Sequence, residues 1–179
     1  MKRLWSPWRM EYLTKTVSAP GCVFCTKLAD DQTNDRDNLI IYRGQNAAIF
    51  INLYPYNNGH LMVIPYEHVP TTEALSPETL SEMMELVNLG MALLRRIVHP
   101  NGFNVGINIG KAAGAGIHEH VHIHIVPRWE GDTNFLQVCA QTRVIPELLA
   151  DTYDKLVAAL NEYLAEREQR NGVVHPSES

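Results

Sequence analysis

At 179 residues the chain suits one domain with a modest extension and is short for two ordinary ones. Its 45% apolar and 20% charged residues match a soluble globular composition, which excludes collagen-like, coiled-coil and wholly disordered architectures. With 15 Lys and Arg against 20 Asp and Glu the formal charge is -5, the wrong sign for holding a nucleic-acid polymer by counterion release, although a local pocket can still bind a small phosphate.

Met1 to Met10 carries Lys2, Arg3 and Arg9 but no continuous apolar stretch follows, so no secretory signal and a cytoplasmic location are expected. Residues 1–21, with Trp5, Pro7, Trp8 and Tyr12, read as an irregular arm that pins aromatics onto the domain. Three cysteines are too few and too odd for a disulfide framework; the close pair Cys22 and Cys25 points to a metal or to two small apolar residues. Asp30 to Asn38 is polar throughout and reads as an exposed loop.

Leu39 to Tyr42 and Ala47 to Asn52 are β-rich runs that suggest a hairpin, and Leu61 to Pro65 a third strand after the turn Tyr56-Asn57-Asn58-Gly59. The uncharged run Gly44 to Tyr66 is interrupted by Asn52, Pro55, Asn57, Asn58, Gly59 and His60, and so cannot be a transmembrane helix. Ser76 and Pro77 predict a helix start, and Leu80, Met83, Met84, Val87, Met91, Leu94 and Ile97 predict its buried face, up to Pro100-Asn101-Gly102. Phe103 to Ile109 reads as a strand, followed by the glycine-rich loop Gly110 to Gly116 and a strand from His120 to Val126. A second helix is expected over Ile145 to Arg167, with Leu148, Leu149, Leu156, Ala159, Leu160 and Leu164 buried.

This order predicts an α+β domain, a small antiparallel sheet with one long central helix and a C-terminal helix. Residues 1–38 form the arm with its cysteine pair and loop, 39–170 the domain, and 171–179 a flexible tail. Cys139 reads as a core thiol.

His120, His122 and His124 alternate with Val121, Ile123 and Ile125. Strand side chains alternate in direction, so the three imidazoles share one face about 7 Å apart and the β-branched residues face the core. A register slip of one residue would bury the histidines and expose the aliphatics. Such a ladder can bind a metal or an anion, or supply a nucleophile, and spacing does not choose among these. The nearby loop, with Gly110, Gly114 and Gly116 separated by alanines, offers close backbone approach to a phosphate and favours an anion cradle.

The segment His120-Val-His-Ile-His-Ile-Val126 resembles the signature of the histidine triad superfamily of nucleotide hydrolases and transferases. The flanking Pro127-Arg128-Trp129-Glu-Gly131-Asp132-Thr-Asn134-Phe135, Asn52-Leu-Tyr-Pro-Tyr-Asn-Asn-Gly-His60 and Arg3-Leu-Trp-Ser-Pro-Trp-Arg9 resemble its branch containing bacterial diadenosine tetraphosphate phosphorylases. The likeness runs from Met1 to about Thr152 and implies the fold of that superfamily.

It also implies that His122 is the nucleophile, forming a nucleotidyl-histidine intermediate. His124, His60, Asn52 and Asn108 would donate to phosphate or ribose, beside the backbone of Gly114, Ala115 and Gly116. Inorganic phosphate as second acceptor would make the reaction phosphorolysis of a dinucleoside polyphosphate to ADP and ATP; water would make it hydrolysis releasing AMP. Ala115 and Gly116 stand where hydrolase branches tend to carry Gln and a hydroxyl residue, which leans toward phosphorolysis. Rival expectations are a hydrolase of nucleoside phosphoramidates and a non-enzymatic nucleotide-binding module.

The resemblance further implies a structural zinc held by Cys22, Cys25, His68 and His120, and a homodimer joined through its sheets. His118 is expected either to assist the leaving group or to be an exposed loop histidine. A divalent-cation requirement is left open.

Overall fold

The structure is a computed structural model that describes residues 21–132 and 147–172. The expectations for Trp5, Trp8 and Tyr12, for Cys139, for Ile145 and for residues 173–179 lie outside the described residues. Among the described ones, no helix is long and apolar enough to cross a membrane.

Five strands form one antiparallel sheet: β1 (Ile40–Arg43), β2 (Ala47–Ile51), β3 (Leu61–Pro65), β4 (Gly102–Ile107) and β5 (Ile123–Arg128), in the order β1-β2-β3-β5-β4. With helices joined to the antiparallel sheet, the α+β expectation holds. The hairpin of β1 and β2 is closed by Gly44 N–H donating to Ala47 O at 2.8 Å. Its turn is clamped from outside, because the Glu82 carboxylate accepts from the Gln45 and Asn46 amides.

Every residue of β2 and β3 is buried, since both faces of the sheet are covered there. On one face Ile49, Ile51, Leu61, Val63, Ile123 and Ile125 pack in one cluster with α3 (Pro77–Val98) and α4 (Leu149–Gly172). On the other, Ile40, Ala48, Phe50, Met62 and Ile64 pack with Phe24 of α1 (Val23–Ala29). A seven-residue helix is not stable in isolation, so α1 depends on that tertiary contact.

Asp30 to Asn38 is mostly exposed, as expected, but it is no plain loop. It forms a 3-10 turn, Gln32–Asn34, and a single helical turn, α2 (Asp35–Asn38). Its Asp and Asn side chains cap their own backbone, as when Thr33 N–H donates to Asp31 Oδ1 at 2.8 Å. Arg43 then ties this segment to the sheet through Asp35 at 2.7 Å.

The helix α3 starts as expected, with the Ser76 hydroxyl accepting from Thr79 N–H at 3.0 Å and Pro77 next. Its buried face is rotated from the expected one. Thr79, Met83, Leu86, Val87, Gly90, Leu93 and Leu94 face inward, and Leu80 and Met84 are exposed. Gly90 fits the rotation: a Cβ there would lie 2.9 Å from Ile125 Cδ1 and 3.4 Å from Leu61 Cδ1, so the sheet side chains pack against the helix backbone at the one residue without a side chain. In α4, Leu156, Ala159 and Leu160 are buried as expected, while Leu149 and Leu164 are half-buried, Leu148 just before the helix is exposed, and Thr152 and Tyr153 take inward places.

The expected strand over His120 to Val126 is displaced, because the ladder begins at Ile123. The register Leu61↔Ile125, Val63↔Ile123, carried on, would set Pro65 opposite Val121, and proline has no N–H for a ladder bond. Instead Val121 N–H donates to Val69 O at 2.7 Å, beyond the proline. The alternation survives the change: Val121, Ile123 and Ile125 all belong to the cluster under α3.

Candidate functional site

The histidines therefore project from the sheet face that carries α1, and they are not open to solvent as a ladder on a free face would be. His120 and His60 are fully buried, His122 is 5% exposed, and His124 is partly exposed. Phe24 supplies the cover, its ring edge-on to His120 at 5.5 Å and to His122 at 5.1 Å.

The hydrogen bonds assign each proton. His122 Nδ1–H donates to the His120 carbonyl at 2.9 Å, which leaves Nε2 with a free lone pair. Burial holds this imidazole below its ordinary titration range, so it is neutral at pH 7. In the connection before β3, the Tyr56 amide donates to His60 Nδ1 at 3.0 Å. The His60 proton must then sit on Nε2, which donates to His124 Nδ1 at 3.0 Å. His124 consequently carries its proton on Nε2; the Asn108 side-chain amide stands 3.5 Å away and accepts from it only with its Oδ1 turned to the ring, because two N–H groups do not pair. The rings of His122 and His124 are 4.7 Å apart at 76°. A lone pair and an N–H are thus presented side by side, the complement an attacking atom and a departing or non-bridging oxygen require.

His60 lies behind His124, so its link to a substrate runs through that ring. Burial pushes it down to about 3, assisted by His124 and His122, and burial with His122 pushes His124 down to about 4. Unfolded, both titrate near 6.5, so between these values the unfolded chain binds more protons and stability falls as pH drops from 6.5 toward 4. We expect a loss on the order of 2 kcal/mol per histidine by pH 5, read as a lower urea midpoint at pH 5 than at pH 7. The difference should shrink in His60→Gln; equal midpoints at the two pH values would contradict it.

Asn52 closes the loop between β2 and β3. Its Oδ1 accepts from Tyr54 N–H at 2.9 Å and its amide lies 3.3 Å from His60 Nδ1. Gly59, at φ +73, turns the chain back into β3 under Leu94. Tyr56, 50% exposed, lies over the His60 and His124 rings at 4.7 and 5.7 Å. Sequence reasoning passed over Tyr56 and Phe24; their place beside motif residues in the chain was the available signal.

The glycine loop folds as a 3-10 turn, Lys111–Ala113, ended by Gly114 at φ +88. The amides of Ala113 and Gly114 donate to Gly110 O and Lys111 O at 3.2 and 3.1 Å, and Ala115 N–H donates to Gly110 O at 3.4 Å. These three donors are turned into the loop itself, so Gly114 and Ala115 offer an anion space and not backbone N–H groups. His118 is partly exposed, 3.8 Å from Glu119.

The second constellation assembles as expected. Ligand atoms of Cys22, Cys25, His68 and His120 all lie within 4.8 Å of one another. Cys22 Sγ and Cys25 Sγ stand 3.3 and 3.6 Å from His120 Nδ1, and Cys25 Sγ stands 3.2 Å from His68 Nδ1. Zinc bond lengths at a tetrahedral angle place sulfur and nitrogen about 3.6 Å apart, so the set fits such an ion. His120 Nε2–H donates to Pro65 O at 2.9 Å, which fixes the proton on that nitrogen and leaves Nδ1 to the cluster, the outer hydrogen bond usual for a ligating imidazole. Burial and the neighbouring Cys22 push the Cys25 thiol up, a pressure that a cation between the two sulfurs would reverse.

The HIT domain family model matches residues 33–131. The AP-4-A phosphorylase of Mycobacterium tuberculosis is 39% identical over 160 residues, 85% of this chain and 80% of that one. The asymmetrical bis(5'-nucleosyl)-tetraphosphatase of Schizosaccharomyces pombe is 34% identical over 93 residues, 52% of this chain and 50% of that one. Among solved structures, a Zn-bound histidine triad family protein from Mycobacterium smegmatis superposes with a TM-score of 0.65 at 30% identity, covering 82% of this chain and 97% of that one. A family model over more than half of the chain, and a relative 39% identical over 85% of it, lead to one assignment: the chain belongs to the HIT domain family, as one of its enzymes.

Proposed function

We propose that the protein phosphorolyses dinucleoside polyphosphates, converting diadenosine tetraphosphate and inorganic phosphate to ADP and ATP through a nucleotidyl-His122 intermediate. The observation that carries this reading is the proton assignment, with a free lone pair on His122 Nε2 beside the His124 Nε2–H. The substrate class is supported by the likeness to the mycobacterial AP-4-A phosphorylase.

In the first step His122 Nε2 attacks the α-phosphorus, the N–P bond forms and the bond to the bridging oxygen breaks, releasing ATP. The departing oxygen accepts a hydrogen bond from His124 Nε2–H. The imidazole gains positive charge as it attacks, and the His120 carbonyl on Nδ1–H stabilises it. In the second step a phosphate oxygen attacks the same phosphorus and the N–P bond breaks, releasing ADP and restoring the lone pair. The loop around Gly114, Ala115 and Gly116, bare of long side chains, leaves room for that second anion. Asn108, 3.5 Å from His124, would donate its amide N–H to a phosphate oxygen.

Within this reading Cys22, Cys25, His68 and His120 hold a structural zinc, and the chain pairs through the edge strand β4, whose Val105 and Ile107 are exposed together with Ile109 just beyond it. Sedimentation at micromolar concentration should give the dimer mass; a monomer would remove the pairing.

The discriminating experiment is product analysis with and without phosphate. ADP and ATP in equal amounts, formed only when phosphate is present, is the expected result. AMP at the same rate in both would establish hydrolysis, and no product would reduce the protein to a nucleotide binder.

A further inference from the structure

We propose that Phe24 is a positioning residue for His122: its ring, carried on α1 between the two cysteines, holds the imidazole with Nδ1–H on the His120 carbonyl and Nε2 turned to the substrate. The inference rests on the reading of His122 as nucleophile and deepens it.

An imidazole held by one hydrogen bond can rotate half a turn about its outer side-chain torsion. That rotation exchanges the ring nitrogens with carbons, breaks the Nδ1 bond and removes the lone pair from the line of attack. Around His122 three restraints oppose it: the His120 carbonyl at 2.9 Å, the His124 ring at 4.7 Å, and the Phe24 ring at 5.1 Å and 68°. His124 is partly exposed and must itself meet substrate, which leaves Phe24 as the fixed wall. The same ring keeps water from competing for the His120 carbonyl, for Phe24 is itself only 6% exposed and lies edge-on to His120 at 90°.

Phe24 is in turn anchored. Its far side meets Phe50 of β2 at 6.1 Å. Within α1 it lies between Cys22, the cap residue, and Cys25, whose sulfurs both approach His120. The residue whose backbone carbonyl orients the nucleophile is thus gripped from the same short helix that carries the ring against it. The Cys-x-x-Cys spacing accounts for the cluster, and the apolar ring inside it accounts for the orientation of the neighbouring histidine.

The test replaces the ring while keeping apolar bulk: Phe24→Leu, with Phe24→Met as a second, more pliable filler, in the full chain as purified. Long-range nitrogen-proton spectra of histidine-labelled protein at fixed neutral pH should show a single Nδ1–H tautomer for His122 in the parent and a mixture in the variants. An aromatic contact of ordinary strength predicts kcat lower by about tenfold with KM within about twofold. Phe24→Tyr, which keeps a ring, should restore the single tautomer. An unchanged His122 tautomer in a folded Phe24→Leu or Phe24→Met protein overturns the proposal, as does a loss confined to KM. The spectrum reads the ring without turnover, so it stands apart from the nucleophile reading, which fails separately if His122→Gly remains active.

Discussion

Replacing His122 with glycine should lower kcat by about 10⁴-fold or more while leaving nucleotide affinity within a few fold. The size follows from the lack of a substitute: among the described histidines around the site, His122 alone keeps a ring nitrogen unprotonated and without a hydrogen-bond partner. His124 has its Nδ1 occupied by His60 and its Nε2 protonated, so it cannot take over the attack. Losing a covalent nucleophile costs on the order of 10⁶ in kcat in well-studied hydrolases, with a residual rate from binding and electrostatics. His124→Ala should cost less, about 10²-fold to 10⁴-fold, since it removes a hydrogen-bond donor and leaves the attacking atom. Steady-state rates with diadenosine tetraphosphate and phosphate, alongside calorimetric affinity for a non-reacting nucleotide, separate the two terms. An acid-quenched sample of the parent should carry nucleotide covalently, and His122→Gly none. Turnover within tenfold of the parent in His122→Gly would sink the covalent mechanism.

The alternation from His120 to Ile125 was sufficient to say which side chains share a face, because period two is a property of any extended chain. It could not say what covers that face. The cover comes from Phe24, nearly a hundred residues away in sequence, and only the packing of α1 on Phe50 and Ile64 reveals that the histidines are enclosed. The same limit applies to His60. Its motif marked it as functional, but its place behind His124 depends on the β3–β5 pairing, which a single sequence does not state. Backbone donors are less legible still. The glycine loop looked like a cradle of free amides, whereas the 3-10 turn at Lys111–Ala113 directs several of them to its own carbonyls. In α3 the apolar count favoured Leu80 and Met84 over Gly90, because periodicity weighs apolar side chains and a glycine at a close approach has none to count.

Loss of the Cys22, Cys25, His68 and His120 centre should be the costliest change to the fold. A closed four-ligand site retains its ion through purification, so about one zinc per chain is expected, and less than a tenth of that in Cys25→Ser. Zinc binding in small domains is worth on the order of 10 kcal/mol, and it is folding energy wherever the site exists only in the folded chain. Here the ligands come from α1, the strap after β3 and the approach to β5, which no local structure would bring together. Part of that energy is spent on ordering α1, so a net loss of about 3 to 5 kcal/mol is expected, roughly 10 °C in melting temperature for a chain of this size. Chelation of the parent should reproduce the shift, and added zinc should reverse it in the parent but not in Cys25→Ser. The melting loss should exceed that of Phe24→Leu, which keeps all four ligands. A parent purified without chelator that holds no zinc, or a Cys25→Ser protein that melts with the parent, would make these four side chains an unused cluster and leave α1 held by the packing of Phe24 and Leu28 and by Arg43 on the Leu28 carbonyl.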